Sequence, residues 1–239
     1  MAVDIILVSL KREIDLFIDL LTQVTKRKES GVVLYEGALQ GKRVRVIRTG
    51  IGNRELDASL FSDCDRIISS GFCGALVSEL KAGDMVFAHE ILYADPDYLS
   101  NIFSKKNESK PHAENHAHRA VGDEEAFSSL SDALIPEGIT VLRGRSVTAA
   151  RIIKTSTEKA ALHTSTGAIS VDMEDYHRLN RAKRLNIPFI SIRSVLDSRR
   201  DEIPGFRRGF HLGSDLSSLL RNVSSAQTAI ALSIEKLLL

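Results

Sequence analysis

The sequence predicts an α/β protein: one domain of three layers, with helices on both faces of a mostly parallel or mixed central sheet. Three observations carry that prediction. Apolar β-branched runs alternate with segments whose apolar residues recur every three or four positions. Hydrophobic residues make up 43% and charged residues 26% of the 239, enough for a full core. Neither a fixed-period repeat nor a linker long enough to divide the chain is present, so residues 1–239 read as a single domain.

Taken in order, residues 5–8 (Ile-Ile-Leu-Val) read as a buried strand, and Leu10, Ile14, Phe17, Ile18 and Leu21 as the apolar face of a following helix. Residues 32–36 and 44–47 predict a hairpin about 37–41. Further strands are expected at 66–70, 84–88, 139–142, 169–171 and 189–195, the last entered through Asn186-Ile187-Pro188. Helical periodicity marks 158–166, 174–185 and 215–237. Residues 95–123 are polar, carry Pro96 and Pro111, and predict a mobile excursion.

Charge and cysteine content exclude several classes. Lysine and arginine total 32 against 31 acidic residues, so the chain lacks the electrostatic footprint of a nucleic-acid binder. There is no apolar stretch of about 18 residues, and Met1-Ala2-Val3-Asp4 offers no basic leader, which predicts a cytoplasmic protein without an integral membrane segment. Cys64 and Cys73 form no C-x-x-C and predict no disulfide framework. His112, His116 and His118 are spaced H-x3-H-x-H within a serine- and lysine-rich stretch, which suits a solvated loop better than a metal site. No metal or cofactor is expected. Arg181, Lys183, Arg184, Arg199, Arg200, Arg207 and Arg208 read as a solvated basic face, with Ile203, Phe206 and Phe210 between them as a possible rest on an anionic membrane surface.

Three glycine-containing turns are expected after strands: Thr49-Gly50-Ile51-Gly52-Asn53, Ser70-Gly71-Phe72-Cys73-Gly74-Ala75 and Lys81-Ala82-Gly83-Asp84. A dinucleotide fold needs G-x-G-x-x-G at the first strand-to-helix turn, where this chain has Ser9-Leu10-Lys11-Arg12-Glu13. Carboxylates cluster where a strand meets a helix, at Asp172, Glu174 and Asp175, and another, Asp197, ends the apolar run 189–195. Helix capping accounts for Asp172 and Asp175 without any ligand. Cys73 reads as a small buried cysteine and His177 as a helix-packing histidine.

In this order and spacing the segments resemble the purine nucleoside phosphorylase and nucleosidase superfamily. The matching pieces are the opening strand with Glu13, Thr49-Gly50-Ile51-Gly52, Ser70 to Leu76 with Leu80 to Asp84, Val171-Asp172-Met173-Glu174, and Ile187-Pro188-Phe189 through Asp197. Arg145-Ser146-Val147 and Ser156 to Leu162 are most similar to the branch associated with hopanoid biosynthesis, which releases adenine from an adenosylated hopane.

The resemblance implies a mixed sheet flanked by helices and cleavage of an N-glycosidic bond in a purine nucleoside, without a cofactor. Asp197 would be the acid toward the purine and Glu13 the carboxylate that orients and deprotonates water. Glu174 would hold the ribose hydroxyls and Met173 would pack on the ribose. Asp172, Gly71, Phe72, Gly50 and Ile152 complete the substrate-binding set. Phe72 stands where phosphorolytic members carry a phosphate-binding serine or threonine, which favours hydrolysis over a phosphate-dependent phosphorylase. A non-catalytic nucleoside-binding protein of the same fold is the other alternative, and it needs neither Glu13 nor Asp197. Strand alternation puts Arg193 and Asp197 on one nominal face, where the cation would lower the acid's pKa. The family habit and the apolar C-terminal helix predict a homodimer or higher homo-oligomer.

Overall fold

The structure, a computed structural model, describes residues 3–103, 118–119, 124–201 and 214–239. The chain opens with β1 (Val3–Val8), a 3-10 turn (Lys11–Glu13) and α1 (Asp15–Ile18), followed by β2 (Thr22–Glu29), β3 (Val32–Leu39) and β4 (Lys42–Arg48). Then come β5 (Cys64–Ala75), β6 (Met85–Ala94), α2 (Pro96–Phe103), β7 (His118–Arg119), α3 (Glu124–Leu134) and β8 (Val141–Ala149). The last elements are α4 (Ser156–Thr166), β9 (Ser170–Asp172), α5 (Asp175–Leu185), β10 (Phe189–Asp197) and α6 (Ser214–Leu238).

The strands form one mixed sheet, in the order β2-β3-β4-β1-β5 and then β9-β8-β6-β10. β10 pairs back onto β5 in parallel, so the second half of the sheet closes on itself. β1 shows why its run is unbroken. Ile6 and Val8 enter a core under α1, α3 and α6, while Val3, Ile5 and Leu7 enter a second core under α5. A strand covered on both faces has no polar side to alternate with. The α/β class, the mixed sheet and the two helical layers are those the sequence predicts.

Three local expectations are corrected, and two elements, β2 and α3, form where the sequence carried no assignment. The helix expected over 10–21 shrinks to the 3-10 turn and the four residues of α1, because Leu21 runs directly into β2. Its apolar period is real, with Ile14, Phe17 and Leu21 buried, while Leu10 is exposed. β2, Thr-Gln-Val-Thr-Lys-Arg-Lys-Glu, is exposed along nearly its whole length at the edge of the sheet, where charge discourages further pairing. The glycine turn expected at 70–75 is strand, since β5 runs on to Ala75 to pair with both β10 and β9. Residues 96–103 of the expected mobile excursion are helix α2: the Asp95 carboxylate caps the Tyr98 amide (2.7 Å), Pro96 sits at its start, and Tyr98 and Leu99 are buried. Residues 124–134, without an assignment in the sequence, form α3, which buries Leu130 and Leu134. His112 and His116 lie outside the described residues, as do Ile203, Phe206, Arg207, Arg208 and Phe210.

Candidate active site

The carboxyl ends of β1, β5 and β10 converge with the start of α5, the place where an open α/β sheet leaves a crevice. A cleft of about 180 Å³ opens there. It gathers Glu13, Phe72, Ile152, Asp172, Met173, Glu174 and Asp197, with Ser9, Leu10, Ile51, Cys73 and Arg151 around them. Gly50 and Gly71 of the expected set are not among its walls.

Glu13 is buried and held by three amides. Its Oε2 accepts from Ser9 (2.7 Å) and Leu10 (2.8 Å), and its Oε1 accepts from Phe72 (3.1 Å). Burial pushes its carboxyl above the usual range, against the opposing charge of Arg193. Gly71, at φ +146°, explains how β5 comes so close: a Cβ there would stand 2.8 Å from Glu13 Oε1 and 3.1 Å from Arg193 Nη1. Gly71 therefore shapes the floor beneath Glu13. Gly71→Ala is expected to cost about 1–3 kcal/mol through backbone strain and displacement of that carboxylate; urea unfolding checks it, and an unchanged midpoint would contradict it.

Glu174 precedes the first residue of α5. Its Oε1 accepts the Gly52 amide (2.9 Å), which reaches it from the loop after β4, where Gly50 and Gly52 both take positive φ. Gly50 thus serves the loop, and Gly52 makes the contact. The other oxygen of Glu174 accepts from Arg193 Nη1 (3.3 Å). Asp172 has the bonds of a helix cap: its Oδ1 accepts the amides of Glu174 (2.7 Å) and Asp175 (2.9 Å) and the Thr148 hydroxyl (3.0 Å). Burial and the neighbouring Asp175 push its carboxyl up to about 6.

Arg193 does not meet Asp197. The register against β5 slips between Val195 and Asp197, which breaks the simple alternation along β10. Fully buried, Arg193 forms a two-pronged pair with Asp175, Nη2 to Oδ1 at 2.6 Å and Nε to Oδ2 at 3.0 Å, and also donates to the Phe72 carbonyl (3.1 Å). Arg178, also buried, donates to the hydroxyls of Ser9 (2.8 Å), Ser69 (2.9 Å) and Thr49 (3.1 Å). The cation beside Asp197 is Lys159 of α4. Burial raises the Asp197 carboxyl, and Lys159 opposes the rise.

Lys159, Asp175, Arg178 and Arg193 are the residues whose roles sequence reasoning missed. Lys159 had a signal: it shares the buried face of α4 with Leu162 and Thr166, an unusual place for a lone cation. Cys73 is buried and its thiol is pushed far up by burial, the environment of an inert cysteine. His177 stands edge-on to Tyr93 and Tyr176 outside the cleft. Arg181 stacks over Phe61 and donates to the Leu56 carbonyl. Among the described residues no cluster of three or more histidine, cysteine, aspartate or glutamate side chains could hold a metal, and no helix is long and apolar enough to cross a membrane.

Solved structures share this fold over nearly the full length. A 5′-methylthioadenosine/S-adenosylhomocysteine nucleosidase from Neisseria meningitidis, in complex with methylthio-immucillin-A, superposes with a TM-score of 0.74 at 22% identity, covering 100% of this chain and 99% of that one. The futalosine hydrolase of Helicobacter pylori gives 0.75 at 17%, covering 99% and 97%. A 5′-methylthioadenosine/S-adenosylhomocysteine nucleosidase from Colwellia psychrerythraea, in complex with adenine, gives 0.74 at 19%, covering 100% and 94%. Residues 4–219 match the phosphorylase superfamily as a family, and with the sheet and the cleft in the arrangement just described, the chain belongs to that superfamily.

Proposed function

We propose that the cleft hydrolyses the N-glycosidic bond of an adenosine derivative, with Asp197 as acid, Glu13 as base toward water, and Glu174 on the ribose. As the bond breaks, its electron pair moves to the purine and the ribose becomes cationic. Asp197, buried and raised, gives its proton to a ring nitrogen of the leaving base. Water adds to C1′ and Glu13 takes its proton. Glu174 accepts from the ribose hydroxyls, and its charge favours the cationic sugar. Met173 and Ile152 line the same cleft and suit the ribose and its 5′ side.

The observation that carries hydrolysis is the seat of Glu13. The amides of Ser9, Leu10 and Phe72 make an anion-binding corner, and a carboxylate of the protein already fills it. Arg193 spends its N–H groups on Asp175, Phe72 and Glu174. A phosphate entering there would face Glu13 and Glu174 with no serine at position 72 to receive it. Glu13 and Asp197 together also argue against a non-catalytic binder, which needs neither a base toward water nor an acid toward the purine.

Two walls of the cleft present exposed apolar side chains beside the exposed Arg151: Ile51 is 61% and Ile152 47% exposed, which suits an apolar group on the 5′ carbon. With the resemblance at 145–147 and 156–162, this supports an adenosylated hopanoid as one such substrate. A homodimer or higher oligomer that completes the 5′ pocket, and a single domain over 1–239, belong to the same reading. The test is release of free adenine from adenosines with apolar 5′ groups, with and without phosphate. Turnover is expected to be independent of phosphate and to yield a free ribosyl sugar. Obligatory phosphate with a sugar 1-phosphate product would establish the phosphorylase instead, and binding without turnover the binding protein.

A further inference from the structure

Lys159 is the one lysine among the described residues that is fully buried, at 0% exposure. An ammonium removed from water costs several kcal/mol unless its protons are matched, and a position needed only for packing takes leucine or methionine more cheaply. Here all three donors have acceptors: Asp197 Oδ2, the Ser198 carbonyl (2.6 Å) and the Asp201 carbonyl (3.0 Å). Lys159 therefore ties the chain leaving β10 to α4 at the point where Asp197 enters the cleft. Gly74 leaves room for the carboxylate, since a Cβ there would lie 3.1 Å from Asp197 Oδ2 and 3.4 Å from Oδ1.

We propose that Lys159 is a positioning residue for the cleavage reaction, fixing Asp197 Oδ2 so that the acid presents its proton on Oδ1, and stabilising the carboxylate left behind. This rests on the reading of Asp197 as the acid. In the step, the O–H bond of Asp197 breaks and an N–H bond forms on the purine, while the electron pair of the C1′–N bond goes to the base. Lys159 keeps all its protons throughout. Its charge offsets part of the burial that holds the proton on Asp197, so the acid gives up its proton more readily as the base leaves.

The test uses 5′-methylthioadenosine and Lys159→Met, alone and combined with Asp197→Asn, with thermal unfolding recorded in parallel. Lys159→Met is expected to lower kcat by about 10-fold to 10²-fold with little change in KM. The alkaline limb of kcat/KM, which follows the protonated acid, should move up by about one pH unit or more, because the opposing cation is gone. In the Asp197→Asn background the same change should cost less than about 3-fold. Lys159→Gln, which keeps an N–H for the carbonyls, carries the same measurements where the methionine variant does not fold. An unmoved alkaline limb, or an equal cost in both backgrounds, would overturn the proposal and leave Lys159 a structural residue. If Asp197→Asn alone keeps parental kcat, the acid assignment fails and this inference with it. If Asp197→Asn is inactive while Lys159→Met is parental, only the inference fails.

Discussion

Asp197→Asn is expected to lower kcat by at least about 10²-fold while purine binding survives, and Glu174→Gln to fail in a different way. The amide cannot deliver a proton to the leaving base, so what is lost is the contribution of a positioned general acid. Nothing in the substitution removes the cleft that receives the base, and adenine should still bind the variant as a product. Glu174 acts on the other half of the substrate. Its carboxylate lies between the Gly52 amide and Arg193, with the ribose hydroxyls as its proposed third partner. Bonds that strengthen as the sugar becomes cationic affect kcat as well as KM, so Glu174→Gln should damage both. A 2′-deoxy nucleoside separates the two residues. It should cost the parent and Asp197→Asn alike but add little to Glu174→Gln, which has already lost the partner of that hydroxyl. The measurement is a cycle of three enzymes and two sugars, followed for free adenine. A 2′-deoxy penalty in Glu174→Gln as large as in the parent would remove Glu174 from that hydroxyl.

The residues behind this prediction were visible in the sequence for a physical reason. β10 is buried along nearly its whole length and reads as a largely apolar run that breaks at the carboxylate of Asp197, while Glu174 follows the buried β9 at its junction with α5. A charge at the end of such a run has few places to go except a turn or a cleft. What the sequence hides is pairing across distance. Lys159 and Asp197 are 38 residues apart, and Asp175 and Ser69 are 106 apart, so no local pattern joins them. The shared face that alternation gives Arg193 and Asp197 produces no contact for a similar reason, since one slipped residue at the end of β10 is enough to undo a period of two. β2 escapes a pattern search because an exposed edge strand needs no apolar alternation. Gly71 reads as a turn former because glycine marks turns and close approaches alike, and only the position of Glu13 tells the two apart.

Asp175 was explicable from sequence as an ordinary first-turn acid of a helix, yet it is expected to carry the largest stability effect of any single side chain at the site. Asp175→Ala should destabilise the protein by about 3–5 kcal/mol, a large share of the 5–15 kcal/mol typical of a folded domain. Both Asp175 and Arg193 are buried, and the carboxylate answers two guanidinium donors together with the hydroxyls of Ser69 and Ser191, each at 2.5 Å. Its removal leaves a buried cation whose remaining acceptors are the Phe72 carbonyl at 3.1 Å and Glu174 at 3.3 Å, and leaves two buried hydroxyls without that acceptor. The sign of the pH dependence follows from its carboxyl. Burial alone would raise it, but the charge and hydrogen bonds of Arg193 hold it below the ordinary 3.8. Between the two values the unfolded chain binds more protons than the native one, so this contribution is complete above about pH 4 and declines as the pH falls through the native value. Urea unfolding of parent and variant should therefore show the full gap at pH 7, with the share held by the Asp175 carboxyl lost only below about pH 4; between about pH 4 and pH 6 Asp172, no longer raised by Asp175 in the variant, adds a dependence of its own. A gap under about 1 kcal/mol at pH 7 would mean that Arg193 finds equivalent partners without Asp175.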